Sequence, residues 1–254
     1  MNSSIVDKVF DVLTTISESS RPLTFVDLCR QTGLNKSSLH RILNICLSNK
    51  SVQYLPENKS YALGSKLFDL VRFTHKGNDI QNYAYHEMTR LHSITEENVT
   101  IGVPFGVETL YLSVLDSKYP EVSYSLTGMR EPVHCSSSGK AWMAFLPEPL
   151  IESKMSTYDF VRFTPTTIVD GKEFKEELRN TRQRGIGTSD REKYDFVVGI
   201  AAPVFNYLSS PIAVLNIWTS PKRYSLDDLV SKWGEELKSS AERVTELIGG
   251  VPPS

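Results

Sequence analysis

Cysteines are few and scattered in this sequence, and long apolar runs are lacking. Only three of the 254 residues are cysteines, and no CxxC pair or Cys/His cluster includes Cys29, Cys46 or Cys135. This excludes a disulfide framework and predicts no zinc site. No apolar run approaches the roughly 18–20 residues of a membrane-spanning helix, and residues 1–7 lack the basic and apolar regions of a signal peptide. We therefore expect a soluble, cytoplasmic protein with no membrane partner.

An excess of charge of one sign is also lacking. The chain carries 28 Lys+Arg against 30 Asp+Glu, for a formal net charge of −2, with 40% hydrophobic and 23% charged residues. These shares are ordinary for a globular protein and exclude wholesale disorder. The near-neutral total also argues against a uniformly basic surface for nucleic acid. At about 100–200 residues per domain, the length predicts one large domain or two modest ones.

The charge is nevertheless divided unevenly along the chain. Residues 1–77 hold ten basic and six acidic side chains, a net +4, whereas the remainder holds 18 basic and 24 acidic ones, a net −6. A basic first third joined to an acidic remainder is typical of a protein in which one part meets a polyanion. Ordinary variation between surfaces is the alternative, and charge alone does not decide between the two.

The motifs of common enzyme classes are missing. The sequence has no Gly-x-Ser-x-Gly elbow, P-loop, HExxH pair or dinucleotide fingerprint, so we expect no cofactor and no metal. A hydrolase that uses His134, Cys135 and Ser136 is the alternative. Adjacent residues on a strand point to opposite faces, which gives the His–Cys pair poor geometry for a hydrogen bond. We therefore predict that the protein is not an enzyme and that Cys135 is a small core residue.

Residues 1–64 show the pattern of three short helices followed by a hairpin. Apolar residues at helical spacing predict the first helix. Thr24 opens a second helix that stops at Gly33, and Asn35 caps a third. Two runs of alternating apolar residues flank a polar tip at 56–59 and predict a hairpin. Helix, turn, helix and hairpin together are the layout of a winged helix-turn-helix.

The third helix has the side chains of a recognition helix. A helix fits the DNA major groove, where Arg41 can donate two hydrogen bonds to a guanine and Asn44 can pair with an adenine. A polar helix face is otherwise merely solvated, or it contacts another protein, but the preceding helix, the turn and the wing favour DNA. The expected DNA-binding residues are Lys36, Ser37, Ser38, His40, Arg41, Asn44 and, at the tip of the wing, Lys59.

Motifs along almost the whole chain carry a family resemblance. The segment TFVDLCRQTGLNKSSLHRIL at 24–43 is followed by YALG at 61–64, HCSSSGKA at 134–141, RGIGTSDRE at 184–192 and GIAAPV at 199–204. In this order they resemble the elements of the IclR family of bacterial transcriptional regulators. Each motif alone is weak, and their common order makes the resemblance specific.

The resemblance implies an α+β protein in three parts. These are an N-terminal winged helix-turn-helix at 1–64, a linker helix at 65–78, and a GAF-like effector-binding and oligomerisation domain at 79–250. It also implies a homodimer or a dimer of dimers that binds a palindromic operator in double-stranded DNA and controls catabolic genes. Whether the protein is a repressor or an activator depends on where the operator lies, so both alternatives stay open. Leu67 and Leu70 lie at helical spacing in the linker segment.

The sequence after residue 78 has the pattern of a layered α+β domain. Asp170 and Ser225 are candidate caps of two helices, and helices at both ends around antiparallel strands would form such a domain. The predicted strands are Val99–Gly102, Thr109–Leu115, Val122–Leu126, Val197–Phe205 and Ile212–Trp218.

A run of three serines marks the candidate effector site. A strand-like run ends near Val133, and a helix is predicted over 141–146. Ser136, Ser137 and Ser138 therefore lie around a helix N-terminus, which attracts anions. Their hydroxyls add hydrogen-bond donors without bulk, which suits a small carboxylate. The alternative is that one serine simply caps the helix.

The pocket pattern of the family adds further positions by resemblance. It falls on Asp190, as an acceptor for a hydroxyl or amine, on Gly199, and on Asn216 and Trp218. The last three depart from common family choices, and Glu131 stands where an aliphatic residue is frequent. Trp218 is equally expected to fill the core or to form an apolar wall for a ligand. The expected effector is a small organic acid, hydroxylated or carbonyl-bearing, that switches operator affinity.

Overall fold

A computed structural model of the protein describes residues 4–67, 69–70, 80–119 and 127–253. The chain divides into two compact units, Met1–Asn78 and Asp79–Ser254. The predicted strand Val122–Leu126 and most of the predicted linker helix at 65–78 lie outside the described residues. Among the helices that are described, none has the length and hydropathy to cross a bilayer.

The first unit contains three helices and a three-stranded sheet: α1 (Ile5–Ser17), β1 (Leu23–Thr24), α2 (Phe25–Thr32), α3 (Lys36–Ser48), β2 (Val52–Leu55) and β3 (Ser60–Leu63). Ser4 and Thr24 each form a capping box with the aspartate three residues on, and these boxes start α1 and α2. Gly33 ends α2 in the left-handed conformation, at φ 69°, which glycine adopts without strain. The Asn35 side chain then caps α3.

The apolar stripes of α1, α2 and α3 meet in one core. Val12, Leu28, Leu39 and Leu43 are buried there, and burial of each such side chain contributes about 1.5–3 kcal/mol. β2 and β3 form an antiparallel hairpin, and β1 pairs with the other edge of β3. The predicted winged helix-turn-helix is therefore confirmed in its helices, its turn and its wing.

In the described residues, the second unit contains α4 (Ile80–Thr95), β4 (Asn98–Phe105), β5 (Glu108–Leu115), β6 (Arg130–Pro132), a 3₁₀ turn (Val133–Cys135), α5 (Ser137–Met143), α6 (Glu148–Met155), α7 (Gly171–Arg184), β7 (Gly187–Asp190), β8 (Val198–Phe205), β9 (Pro211–Thr219) and α8 (Leu226–Leu247). The strands form one sheet in the order β6-β5-β4-β9-β8-β7, and every pair is antiparallel. Asp170 and Ser225 cap α7 and α8. The four predicted strands within the described residues and the α+β class are confirmed.

The two faces of this sheet differ in character. Val99, Ile101 and Ile217 belong to the main core, which the sheet shares with α4 and α8. Thr100 and Asn216, which are paired across β4 and β9, point to the opposite face, where Asn216 hydrogen-bonds to serines of α5. Because side chains alternate along a strand, the polar residues of this second face are brought together beneath α5.

Candidate functional site

The helix α3 presents one polar face to solvent. Leu39, Ile42 and Leu43 are buried on its inner face. Ser38 is half-buried, and its backbone N–H donates to Asn35 Oδ1 at 2.9 Å. The remaining sequence-predicted residues of the helix are all exposed, namely Lys36, Ser37, His40, Arg41 and Asn44. The spacing of these five residues places them on one side of the helix.

The cations of α3 are not neutralised within the described chain. On α2, Arg30 Nη2 lies 2.8 Å from Asp27 Oδ1, and Arg21 pairs with the same carboxylate at 3.4 Å. By contrast, α3 contains no acidic residue, and neither Lys36 nor Arg41 forms an ion pair in the part of the chain that the structure describes. Both cations are therefore available for a polyanion such as the phosphate backbone.

Two of the polar side chains on α3 contact each other. Asn44 Nδ2 donates to His40 Nδ1 across 3.2 Å, which requires the neutral His40 tautomer that accepts at that nitrogen. The His40 ring also meets the ring of Phe25 edge-on, with 6.5 Å between the centroids. These contacts restrict the rotamers of His40 and Asn44, so both side chains have a defined position on the exposed face.

The wing carries the seventh predicted residue of this surface. Lys59 lies in the β2–β3 turn, is exposed and has a φ of 52°. Its backbone N–H donates to Pro56 O at 3.4 Å and closes the turn. The ammonium of Lys59 has no carboxylate partner among the described residues. A cation at the tip of a hairpin is suited to contact a phosphate.

A partly open cavity lies on the α5 side of the sheet. Its aromatic and apolar walls are Tyr111, Met129, Tyr194, Val197 and Trp218, and its polar lining includes Glu131, Lys193, Ser189 and Asn216. Five of the seven sequence-predicted effector residues line it, namely Ser136, Ser137, Gly199, Asn216 and Trp218. A mostly apolar cavity with a few convergent polar groups is the usual form of a small-molecule site.

The first serine of the run caps a helix. Ser136 Oγ accepts from the Gly139 N–H at 3.1 Å and donates to Pro132 O at 2.9 Å. The explanation of one serine as a cap is therefore confirmed for Ser136. The predicted helix start is corrected, because α5 begins at Ser137 rather than at Ala141.

The other two serines belong to a chain of hydrogen bonds behind the cavity. Asn216 Nδ2 donates to Ser137 Oγ at 2.9 Å and to Ser138 Oγ at 2.8 Å. Tyr111 Oη lies 3.1 Å from Ser138 Oγ and donates to Glu131 Oε2 at 2.7 Å. Ser138 is fully buried and stands outside the lining, where it connects Asn216 to Tyr111.

Glu131 is the carboxylate of the cavity. Burial raises the pKa of Glu131, while the charge of Lys193 and the hydrogen bond from Tyr111 lower it. Burial, together with the negative charge of Glu131, also raises the pKa of Tyr111 well above its ordinary value, so the phenol stays protonated. The cavity thus carries one acidic and one basic side chain among its described lining residues.

Asp190 occupies a different position from the one expected. Its carboxylate is partly exposed and binds Arg191 in a bidentate pair, at 2.7 and 3.1 Å. Asp190 is not among the described residues that line the cavity, and its neighbour Ser189 lines it instead. Since successive side chains of β7 point to opposite faces, the pocket position expected of Asp190 falls to Ser189.

Gly199 and Trp218 meet at the wall of the cavity. A Cβ added to Gly199 would lie 3.2 Å from both Ser137 Oγ and Trp218 Cβ, so a larger residue there would crowd the wall. Trp218 is only 7% exposed and lines the cavity. It therefore fills the core and forms a wall at once, and the two expected roles of Trp218 are compatible.

Tyr111 and Lys193 were not predicted from the sequence, and Glu131 was noted only as a departure from the family. Tyr111 lies between Leu110 and Leu112 in an apolar strand. The sequence pattern there predicts a strand and does not indicate that the Tyr111 hydroxyl belongs to a binding site. Lys193 and Tyr194 lie in the loop after β7 and reach the cavity through the fold. The family motif at 184–192 ends directly before Lys193. This closeness in sequence was the available signal that Lys193 and Tyr194 belong to the site.

His134 and Cys135, two residues of the hydrolase alternative, form contacts that stabilise the fold. His134 and Cys135 lie in a 3₁₀ turn rather than on the expected strand. His134 Nδ1 lies 2.6 Å from Tyr158 Oη, and Nε2 lies 2.9 Å from Val161 O, so both ring nitrogens are occupied. Burial raises the pKa of the Cys135 thiol to about 12. A nucleophilic cysteine needs the opposite shift, toward the thiolate.

Comparison with known proteins gives matches to two family models. The model described as the IclR helix-turn-helix domain matches residues 5–45. The model of the bacterial transcriptional regulator IclR C-terminal matches residues 73–246, which is more than half of the chain.

The matches to individual proteins extend over nearly the whole chain. The HTH-type transcriptional regulator XynR of Escherichia coli K12 is 28% identical over 244 residues, or 96% of each chain. The HTH-type transcriptional regulator KdgR of Dickeya chrysanthemi is 28% identical over 246 residues, 97% of this chain and 80% of its own length. An IclR homologue from Microbacterium hydrocarbonoxydans, solved in complex with 4-hydroxybenzoate, has the same fold. Its TM-score is 0.83 at 22% identity, with 97% of this chain and 99% of that chain covered.

Proposed function

The chain belongs to the IclR family of bacterial transcriptional regulators, and on this premise we propose that α3 binds operator DNA while the cavity of the second unit binds a small organic acid. The acid changes the affinity for the operator. The proposed division of the chain is a DNA-binding domain at 1–64, a linker helix at 65–78 and an effector-binding and oligomerisation domain at 79–250. The protein acts as a homodimer or a dimer of dimers on a palindromic site near catabolic genes.

The DNA-binding proposal rests on the exposed face of α3. Arg41 reads a guanine through two hydrogen bonds, and Asn44, held by His40, reads an adenine. Lys36, Ser37 and Ser38 lie at the start of the helix, where side chains and backbone N–H groups contact phosphate. Lys59 on the wing binds the phosphate backbone beside the groove. The charge of +4 in residues 1–77 favours this contact over a purely solvated face.

The effector proposal rests on a single observation, the lined cavity beside α5. Its apolar walls bury a small molecule, and its polar residues orient it. Lys193 is the cation of the described lining and is the partner of the carboxylate of the acid. Ser137 and Asn216 bind its other polar groups, with Ser136 holding the start of α5 and Trp218 forming one wall.

The size of the response has physical limits. A ligand shifts the equilibrium between two conformations only by the difference between its affinities for them. Coupling free energies are typically about 1–3 kcal/mol, so the acid should alter operator affinity by roughly 5- to 150-fold. A homologue crystallised with 4-hydroxybenzoate supports the class of ligand.

A thermal-shift screen of small organic acids on the full chain tests the effector proposal. We expect at least one acid to raise the melting temperature, and we expect Lys193→Met to weaken its binding by at least tenfold. Lys172→Met, on the exposed start of α7, is the matched control and should leave binding unchanged. If both lysine variants bind the acid as well as the wild type does, Lys193 is not the carboxylate partner. If no acid binds at all, the effector proposal fails.

A further inference from the structure

Strand β5 contains a β-bulge beside the cavity. The cross-strand partner of Ile101 on β4 is Ser113. The partner of the next residue, Gly102, is Tyr111, so Leu112 has no opposite residue on β4. A bulge bends its strand locally and re-aims the neighbouring side chains. At Leu112, β5 is therefore less constrained by the ladder with β4 than it is on either side.

The bulge joins the two faces of the sheet. The Tyr111 side chain lines the cavity, whereas the Leu112 side chain packs against the main core that the sheet shares with α4 and α8. The backbone N–H of Tyr111 donates to Met129 O at 3.0 Å, and Met129 also lines the cavity. A ligand that shifts Tyr111 or Met129 therefore acts on the backbone at Leu112.

A side chain of α4 binds the bulge from the core side. Gln81 Nε2 donates to Leu112 O across 2.7 Å, a hydrogen bond between residues 31 positions apart. Gln81 lies in the first turn of α4 and is half-buried. Its neighbours Ile80 and Ala84 contribute apolar contacts to the main core, and such contacts are non-directional. The hydrogen bond, by contrast, fixes the position of the helix relative to one carbonyl of β5.

This bond is placed at the end of α4 that is joined to the first unit. In the described chain, the other side-chain bonds from α4 to the rest of the second unit start farther along, at Glu87, which binds Arg243 of α8. The first unit ends at Asn78, only a few residues before Gln81. A change at the bulge is thus transmitted to the start of α4, where the chain arrives from the DNA-binding residues.

We propose that Gln81 couples the cavity to DNA binding, because its hydrogen bond to the bulge at Leu112 transmits the effect of a bound acid to the start of α4. The coupling role of Gln81 rests on the proposed function, since it requires an acid in the cavity to change operator affinity. Two sites are coupled only through an arrangement that both of them bias. Here the arrangement is the position of Leu112 O relative to Gln81. The cavity biases it through Tyr111, and DNA biases it through the start of α4.

Operator titrations of the full-length protein, with and without the best acid from the thermal-shift screen, test this role. Gln81→Met keeps the length of the side chain and removes the donor. We expect the acid-induced change in the operator Kd to fall by about two- to tenfold, the factor that one hydrogen bond supplies. Acid binding without DNA and operator binding without acid should stay close to their wild-type values. Because coupling is reciprocal, the change that the operator causes in the acid Kd should fall by the same factor.

Three further variants separate the donor from a general disturbance of the helix. Gln81→Lys supplies another donor to Leu112 O and should restore most of the wild-type change in operator Kd. Gln183→Met, on the exposed surface of α7, removes an amide far from the bulge in sequence and should keep the wild-type change. If Gln81→Met does not fold, Gln81→Glu keeps the shape of the side chain, cannot donate when ionised, and should show the same loss.

Failure of this role and failure of the proposed function give different results. If a folded Gln81→Met or Gln81→Glu protein keeps the full acid-induced change, the coupling role of Gln81 is wrong and the effector proposal stands. A variant that weakens acid or operator binding but keeps the change also overturns the role, because Gln81 is then only structural. An acid that binds the wild type without changing its operator Kd refutes the proposed function, and the role of Gln81 with it.

Discussion

Lys140 and Glu192 form a buried ion pair that ties α5 to the loop carrying two residues of the cavity. Lys140 Nζ donates to both carboxylate oxygens of Glu192, at 2.6 and 2.7 Å, and to Thr188 O at 3.0 Å. The Lys140 side chain is 1% exposed. Burial raises the pKa of Glu192, and the charge and hydrogen bonds of Lys140 oppose that shift. Lys193 and Tyr194, which follow Glu192 directly, are held near the cavity by this contact.

Removal of the lysine from this pair should be strongly destabilising. Lys140→Met leaves the Glu192 carboxylate buried without its cation, and such a loss costs about 3–5 kcal/mol of the free energy of unfolding. Urea unfolding of the variant measures the effect. The double variant Lys140→Met/Glu192→Leu removes the stranded charge and should recover most of the loss. A single variant that is no less stable than the double one would contradict this role of the pair.

His134 should make the stability depend on pH. Burial lowers the pKa of His134 below its ordinary 6.5, and the charge of Lys140 lowers it further, while the bond to Val161 O and the charge of Asp159 act in the opposite direction. The unfolded chain therefore binds a proton below about pH 6.5 that the folded chain refuses. Stability falls as the pH drops through this value and levels off below the folded-state pKa.

The comparison of wild type with His134→Phe isolates this contribution. The variant loses the hydrogen bonds to Tyr158 and Val161, at a cost of about 1–3 kcal/mol at pH 7.5. Between pH 7.5 and 5.5 the wild type should lose more stability than the variant does, since the variant has no imidazole there. Parallel losses in melting temperature over this range would show that His134 does not carry the effect.

Arg41 should contribute base-specific affinity. If its guanidinium reads a guanine, Arg41→Ala weakens operator binding by about 1–3 kcal/mol and relaxes the preference at that base pair. Arg179→Ala, on the exposed surface of α7, is the matched control and should leave operator affinity unchanged. Fluorescence anisotropy with the operator and with single-base variants of it gives both quantities. Equal losses on every sequence would assign Arg41 to a phosphate instead.

The electrostatic part of DNA binding has its own signature. Each phosphate contact adds a slope of about −0.9 to a plot of log K against log[salt]. We expect a steep negative slope for the wild type and a smaller one for Lys59→Ala. A flat response would instead favour a helix-turn-helix that contacts protein.

The crowded wall at Gly199 offers a way to separate sensing from DNA binding. A valine there would press on Ser137 and Trp218, so Gly199→Val should abolish acid binding and leave operator affinity without acid unchanged. Asp190→Ala is the control, because the Asp190 carboxylate pairs with Arg191 outside the cavity lining. Thermal shifts with the best acid measure acid binding in the two variants. Loss of binding in Asp190→Ala would return that residue to the site.

The sequence predicted local structure better than it predicted the site. Thr24, Asn35 and Ser225 cap helices as expected, because a cap depends only on residues close in the chain. The face that a strand residue occupies depends on register, and a shift of one residue moved the lining position from Asp190 to Ser189.

Other site features depend on long-range packing. Tyr111 and Glu131 come from two strands, and Lys193 comes from a distant loop. No local pattern brings these three groups together. The turn at His134 was likewise missed, since its bonds to Tyr158 and Val161 span more than 20 residues.

Control of DNA binding by an acid is tested most directly by an operator titration of the full-length protein, with and without the best acid from the thermal-shift screen. DNA from upstream of the neighbouring genes serves as the source of the operator. We expect the acid to change the Kd for the operator by roughly 5- to 150-fold and Gly199→Val to remove this change. An acid that binds the cavity but leaves the Kd for the operator the same would contradict the proposed coupling between the cavity and DNA binding.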